Sequence, residues 1–250
     1  MNPSARRFIT NPLYALLSLI VSLGLAWQCL ALMDYGYGFW HDHAGIGENI
    51  DQYGPENRYR SGFEHTSREQ RIRLFSEIVE SVHHNGNGLE AIHYQADKPP
   101  ASTSLSIPLL HRAELVHLQD VANLIHTLEI SLAVLTVFWV LWSGLGLCRQ
   151  WPLPNLKQQA ISAIVLCIAL TLLLALFGFE KVFYQLHIWI FPDNHQWFFY
   201  YQDSLMSTMM KAPDLFAYIG LTLGLLGVAF FIAQAMIIQS LKKIKTATKP

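Results

Sequence analysis

Residues 130–148 read ISLAVLTVFWVLWSGLGLC, an apolar stretch without one charged side chain. A helix of this length crosses a hydrocarbon core of roughly 30 Å. Three further stretches share the property: Leu13–Met33, Ala160–Phe179 and Leu215–Gln239. The sequence therefore predicts an α-helical membrane protein with four transmembrane helices.

The composition agrees with a membrane protein. Hydrophobic residues make up 52% of the chain and charged residues only 14%, which is more apolar than a soluble domain. The net charge of −1 argues against a nucleic-acid partner. The three cysteines suggest no disulfide framework. Cys29, near the outer end of the first span, is a candidate nucleophile, although a free buried cysteine more often packs as a small apolar residue.

Basic residues predict the orientation, because short cytoplasmic flanks are enriched in Lys and Arg. All the flanking positive charges fall on one side of the four spans: Arg6, Arg7, Arg149, Lys157, Lys242, Lys243, Lys245 and Lys249. Both termini are therefore predicted in the cytoplasm. The connections 34–116 and 181–213 are predicted on the outer side. Asn11, Asn155 and Asp214, each beside a proline, are candidate residues for starting helices.

The chain is predicted to have five parts. Segment 1–33 is the N-terminus with the first span, and 34–116 is a small extracytoplasmic cap of mixed structure. Segment 117–180 holds the second and third spans, 181–213 is an aromatic interfacial loop, and 214–250 is the fourth span with a basic tail. The cap should contain an amphipathic helix at about 67–84 and two short strands within 89–95 and 105–110. Pro192 should break any helix in the aromatic loop.

Two histidines lie where apolar spans meet water. His117 precedes the second span and His187 follows the third. Imidazole exchanges protons near neutral pH, so this pair indicates proton transfer on a lipid-embedded substrate. Glu114, His117 and Asp120 are three apart, so on a helix they share a face, where a carboxylate can orient an imidazole. If both imidazoles serve one reaction, their rings must converge.

Other ionisable residues support different interpretations. His126 and Glu129 lie deeper in the second span. His126 is half a turn from His117 and so points to the opposite side of the helix, which favours a role in helix packing. The outer histidines raise the alternative of a haem or metal protein, although no recognised zinc spacing occurs. A third alternative is a non-enzymatic envelope protein whose cap binds a partner.

The motifs resemble those of the lipoprotein intramolecular transacylase family. That family carries Glu-x-x-His-(Met/Leu)-x-Asp-Val before its second span, and this chain has Glu114, His117, Leu118, Asp120 and Val121 there. A Phe-His motif follows the family's third span, then aromatics, Asp-x-Leu-(Ile/Met) and a proline. The corresponding residues here are Leu186-His187, the aromatic run 196–202, Asp203-Ser204-Leu205-Met206, and Pro213 with Phe216.

The resemblance covers most of the chain but includes two departures. Leu186 replaces the family's phenylalanine, and the aromatic run differs, which suggests a divergent branch. Phe179-Glu180 offers a rival alignment with glutamate in place of the second histidine. We prefer His187, because that alignment also matches Asp203, Leu205 and Pro213.

The resemblance implies a membrane-embedded acyltransferase of the bacterial cytoplasmic membrane. Its substrate would be a diacylglyceryl lipoprotein surrounded by membrane lipids. The sn-2 acyl chain would move to the α-amine of the same cysteine. His117 and His187 would be catalytic, and Glu114, Asp120 and Asp203 would support them. The resemblance implies no cofactor or metal, and the sequence is compatible with a monomer.

Overall fold

The computed structural model describes residues 3–96, 105–149 and 151–247. Within these ranges the chain forms nine α-helices and one antiparallel pair of strands. The helices are α1 (Pro3–Ala31), α2 (Tyr37–His43), α3 (Ile46–Tyr53), α4 (Arg68–His83), α5 (Arg112–Arg149), α6 (Leu156–Phe177), α7 (Phe179–Ile190), α8 (Leu205–Met210) and α9 (Asp214–Ala247). The strands are β1 (His93–Ala96) and β2 (Leu105–Pro108).

Four helices are long and apolar enough to cross a membrane: α1, α5, α6 and α9. This confirms the prediction of four transmembrane helices. Helix α5 has 38 residues, which at 1.5 Å per residue gives about 57 Å. It is therefore much longer than a hydrocarbon core of roughly 30 Å. As the sequence predicted, one helix carries Glu114, His117 and Asp120 and continues into the second span.

The predicted helix starts were right in part. Asn155 caps α6 in a reciprocal capping box with Gln158. Asp214 is the first residue of α9 and not the residue before it. The prediction that Asn11 caps the first helix was wrong, because α1 begins at Pro3 and Pro12 lies inside it. Lys249, one of the residues used to predict orientation, lies outside the described residues.

The chain divides into two compact units, and the first holds most of the apolar helices. This unit comprises the described parts of Met1–Cys29, Glu129–Tyr184 and Thr222–Pro250. Polar side chains join three of its helices. Gln234 on α9 donates to the Ser18 carbonyl and the Ser22 hydroxyl of α1 at 2.6 Å each. Trp139 on α5 donates to the Ser18 hydroxyl at 2.8 Å. Such hydrogen bonds hold helices together where no water competes for them.

The second unit comprises the described parts of Leu30–Leu128 and Gln185–Leu221. Its amphipathic helix is α4, close to the predicted range. The Ser67 hydroxyl caps α4 by accepting from the Gln70 amide at 3.2 Å. The apolar face of α4 is buried through Leu74, Phe75, Ile78, Val79 and Val82. After α4 the chain turns through Asn85 and Gly86, which have φ values of 60° and 80°.

The two predicted strands form one hairpin-like pair in the second unit. Strands β1 and β2 pair antiparallel, with Tyr94 opposite Ile107. The start of the first predicted strand is instead a 3-10 turn at Leu89–Ala91. The Arg60 guanidinium donates to the carbonyls of Pro108 and Leu110, fastening the chain after β2 to the segment before α4.

Segment 181–213 is more helical than the sequence suggested. Gly178, with φ at 82°, ends α6, and a separate helix α7 follows directly. Helix α7 ends at Ile190, two residues before Pro192, as expected where proline removes a backbone donor. The chain then runs irregularly to Tyr200 and enters α8, whose N-cap Ser204 accepts from the Ser207 amide at 2.9 Å.

Candidate functional site

The site begins at the first turn of α5, where a histidine serves as the helix cap. The Glu114 amide donates to His111 Nδ1 at 3.2 Å, and the His111 amide donates to Glu114 Oε2 at 2.8 Å. This reciprocal pair resembles a capping box with imidazole in the place of a hydroxyl. When the ring is protonated, Nδ1 instead donates to Glu114 Oε2, 3.2 Å away, and this side-chain hydrogen bond raises the pKa of His111. A capping role for His111 could not be predicted from its residue type, because histidine is not a preferred N-cap residue.

The Glu114 carboxylate is buried, with 1% of the residue exposed. Its Oε1 accepts from the Ser204 hydroxyl at 2.5 Å and from the Met206 amide at 3.1 Å. A buried carboxylate needs such donors, because an unpaired charge in an apolar interior is very costly. Glu114 therefore joins α8 to the start of α5, whereas its position in the sequence predicted that it could orient His117.

His117 lies between two aromatic rings contributed by the segment after α7. Its ring centroid is 5.2 Å from that of Phe191 and 5.8 Å from that of Phe199. His117 Nδ1 is buried and has no hydrogen-bond partner among the described residues. Buried polar atoms are nearly always paired, so this imidazole nitrogen calls for an explanation.

His187 reaches the same place from α7. Its ring centroid is 5.4 Å from Phe191 and 4.6 Å from Trp197. Phe191 thus contacts both imidazoles, and the two histidines act on each other electrostatically. The structure brings together two side chains that are seventy positions apart in the sequence. Both rings contact Phe191, which agrees with the expectation that they converge.

Asp120 lies one turn after His117 on α5, but its hydrogen bond goes elsewhere. Its Oδ2 is 2.6 Å from His195 Nδ1, and it acts on His117 only through an electrostatic interaction. We expected Glu114 or Asp120 to lie near His117 and to orient it. Asp120 interacts with His117 electrostatically, but within the described residues neither carboxylate is hydrogen-bonded to it. The physical reason is that each carboxylate already has closer donors on the 191–206 segment or on His111.

The remaining predicted residues lie outside this cluster of contacts. Asp203 Oδ1 pairs with Arg58 Nη1 at 2.9 Å, which ties the segment before α8 to the chain after α3. His126 is exposed, and Glu129 accepts from Gln28 at 3.5 Å. Cys29 is exposed and belongs to the first unit. Across the described residues, no three His, Cys, Asp or Glu side chains are grouped as metal ligands would be.

Comparisons with known proteins give a family and a fold. The family model of the lipoprotein intramolecular transacylase Lit matches residues 70–212, more than half of the chain. An in meso structure of the membrane integral Lit from Bacillus cereus aligns with a TM-score of 0.62 at 17% identity, covering 96% of this chain and 99% of that one. No match was found among curated proteins.

Two variants of the Bacillus cereus protein align in the same way. A histidine-to-arginine variant gives a TM-score of 0.59 at 17% identity, covering 99% of this chain and all of that one. A histidine-to-alanine variant gives 0.58 at 16% identity, covering 97% and 96%. At such low identity these alignments show a shared fold. The stretch matched by the family model includes both His117 and His187.

Proposed function

Because this chain belongs to the lipoprotein intramolecular transacylase family, we propose that it moves the sn-2 acyl chain of a diacylglyceryl-cysteine lipoprotein to the α-amine of that cysteine. The chain is an integral membrane protein of a transacylase family. The particular ester, the particular amine and the catalytic histidines are the proposal. Two observations support the choice of substrate class. The family is described as acting on lipoproteins, and the candidate site contains two imidazoles that can transfer protons.

The reaction is an isomerisation that needs no cofactor. The amine nitrogen attacks the carbonyl carbon of the sn-2 ester, a C–N bond forms, and the C–O bond to glycerol breaks. The amine loses a proton and the departing alkoxide gains one, so the products are an amide and a free sn-2 hydroxyl. Ester and amine belong to one molecule, and this proximity supplies much of the rate. Proton transfer remains for the protein to catalyse.

In this proposal His117 accepts the proton of the attacking amine and His187 donates a proton to the departing alkoxide. The single observation that supports the assignment is the shared contact with Phe191, whose ring both imidazoles touch. The buried Nδ1 of His117 supports its role as base, because no donor among the described residues occupies the nitrogen that would take the proton. General acid–base groups must come within hydrogen-bond reach of the reacting atoms.

The supporting carboxylates have separate roles in this proposal. Glu114 fixes α8 against α5 through Ser204 and Met206. Asp203 fastens the same segment through Arg58. Asp120 provides a negative charge one turn from His117. The substrate would enter from the lipid, and the protein would act as a monomer.

We propose that the site faces the outside of the bacterial cytoplasmic membrane and that both termini lie in the cytoplasm. Support comes from the basic residues at the end of α9, Lys242, Lys243 and Lys245, and from Arg149 at the end of α5. Single cysteines introduced at Arg68 and Lys243 should be labelled from opposite sides of the membrane. Labelling of both from one side would contradict this topology.

The function is tested by mass spectrometry of lipoprotein N-termini in cells with and without the protein. The wild-type chain should convert diacylglyceryl-cysteine into the N-acylated, singly O-acylated form. His117→Gln and His187→Gln should each lower conversion by about 10²–10⁴-fold, the usual contribution of general acid–base catalysis. His93→Gln is the matched control, since His93 is a histidine of the second unit in β1. An unchanged acylation pattern with the wild-type chain would refute the proposal.

A further inference from the structure

The segment Phe191–Tyr200 covers His117 on two sides. Phe191 and Phe199, eight positions apart, both contact the imidazole ring, and each is buried. Between them the chain makes a turn in which the His195 amide donates to the Pro192 carbonyl at 2.9 Å. This turn places His195 above the face of α5 that carries Asp120.

His195 binds Asp120 closely. Nδ1 of the imidazole lies 2.6 Å from Oδ2 of the carboxylate, and 31% and 15% of the two side chains are exposed. Asp120 is three positions after His117 on α5, the spacing at which side chains on a helix meet. The pair with His195 therefore takes up a carboxylate that would otherwise be the nearest hydrogen-bond acceptor for His117. Within the part of the chain that the structure describes, His117 Nδ1 is left without a hydrogen-bond partner.

We infer that His195 is a positioning residue of the proposed acyl-transfer site, which it serves by holding the Asp120 carboxylate away from His117. The inference deepens the proposed function and rests on it for its catalytic meaning. By occupying Asp120, His195 keeps His117 from being taken up in a hydrogen bond with that carboxylate. It also fastens the aromatic segment to α5 at a point between the two phenylalanines that contact His117.

Few charged groups act on His117. Asp120 does so from the same helix, and His187 does so from α7. Glu114, also on α5, is bonded to Ser204, Met206 and the His111 amide. His111 and His117 are separated by Phe199, whose ring contacts both. Among the groups that act on His117 within the described residues, Asp120 is the one anion, so release of Asp120 should stabilise the imidazolium form of His117.

Replacing His195 should therefore change the pH dependence of the reaction and not only its rate. In His195→Ala, Asp120 is free to bond the protonated His117, and the acidic limb of the pH–rate profile should move up by about one pH unit. At a pH on that limb the rate should fall about tenfold. His195→Asn should retain the wild-type profile, because the amide nitrogen of asparagine reaches about the place of Nδ1.

The experiment uses the full chain in lipid nanodiscs with a synthetic diacylglyceryl lipopeptide as substrate. The variants are His195→Ala, His195→Asn and the double variant His195→Ala with Asp120→Asn, and His84→Ala is the control, since His84 is exposed at the end of α4. The profile should shift in the first variant only. An unshifted His195→Ala profile would overturn the inference, as would an equal shift in the double variant. His195→Met replaces His195→Ala if the latter does not fold.

A second measurement separates this inference from the proposed function. The ring signals of His117 are followed by NMR during a pH titration without substrate, in wild type and in His195→Ala. The midpoint of the titration should be higher in the variant and should return in the double variant. If the wild-type chain does not convert the lipopeptide, the proposed function fails, while the titration still decides whether His195 controls the link between Asp120 and His117. Equal midpoints would reject that link.

Discussion

Glu114, in the first turn of α5, accepts a 2.5 Å hydrogen bond from the Ser204 hydroxyl, 90 positions later in the chain. Ser204 in turn caps α8 by accepting from the Ser207 amide. One buried carboxylate therefore fixes both the start of α8 and its attachment to α5. A charge-assisted hydrogen bond of this kind is stronger than one between neutral groups.

Replacement of Glu114 by alanine should destabilise the protein severely. The change leaves the Ser204 hydroxyl and the Met206 amide without their acceptor in a buried place, at a cost of about 1–3 kcal/mol for each unpaired group. Thermal unfolding in detergent should show the loss as a lowered Tm. Glu90→Ala is the control, because Glu90 is exposed. A Tm equal to that of the control would show that Glu114 does not hold the two helices together.

Phe191 is the residue on which the proposed catalytic pair depends. Phe191→Ala removes the ring that both imidazoles contact and should cost about 3–5 kcal/mol, the usual range for a buried phenylalanine. Phe191→Leu keeps most of the volume, so it should retain more of the stability while still losing the aromatic contacts. We expect acyl transfer to fall in both variants, measured by mass spectrometry of the product.

The comparison of these two variants separates packing from positioning. If activity falls in Phe191→Leu while its Tm stays close to that of the wild type, the ring positions the imidazoles. Full activity in a folded Phe191→Leu variant would mean that the placement of His117 and His187 does not depend on this ring.

The four spans could be predicted because hydrocarbon excludes charge, and each span is a charge-free run long enough to cross it. The boundary between α6 and α7 could not be predicted, because the apolar run continues through Gly178. Helix α6 ends there because Gly178 adopts a positive φ. His117 and His187 could be proposed from their positions beside the spans. The partners of Asp120 and Glu114 could not be predicted, because they come from a segment distant in the sequence. The turns of that segment determine which donor lies nearest to each carboxylate.

Gly86 lies where the chain leaves α4 and passes close to α5. Its φ is 80°, and a Cβ there would lie 2.2 Å from Gln119 Oε1. Gly86→Ala must adopt a left-handed conformation that costs about 1–2 kcal/mol in other residues. It must also displace Gln119, whose amide donates to the Asn85 carbonyl at 3.0 Å. The free energy of unfolding should fall by at least the cost of the left-handed conformation, about 1–2 kcal/mol, which thermal unfolding would detect.

Gly144 provides the matched control for that change. It lies within α5, and a Cβ there would meet no atom within 4 Å. Gly144→Ala should be neutral or stabilising by up to about 1 kcal/mol, since alanine favours helix. Equal effects of the two substitutions would show that neither the left-handed angle nor the contact with Gln119 constrains Gly86.

The His111 cap of α5 makes stability depend on pH. The side-chain hydrogen bond from protonated Nδ1 to the Glu114 carboxylate, over 3.2 Å, raises the pKa of His111 above its ordinary value of 6.5. A group whose pKa is higher in the folded than in the unfolded state stabilises the fold fully below the unfolded value. That contribution is lost as the pH rises through the folded value. Wild-type stability relative to a non-titrating variant should therefore decline as the pH rises above about 6.5.

His111→Asn is the informative variant, because asparagine is a preferred N-cap and keeps an acceptor for the Glu114 amide without titrating. The Tm of the wild type minus the Tm of His111→Asn should be largest at acid pH and should decrease toward alkaline pH. His84→Asn, at an exposed position, should leave the pH dependence of Tm unchanged. A constant difference between wild type and His111→Asn from pH 5 to 8 would mean that the pairing of protonated His111 with the Glu114 carboxylate contributes nothing to stability. A difference that grew with pH would mean that neutral imidazole caps α5 better than the charged ring paired with Glu114.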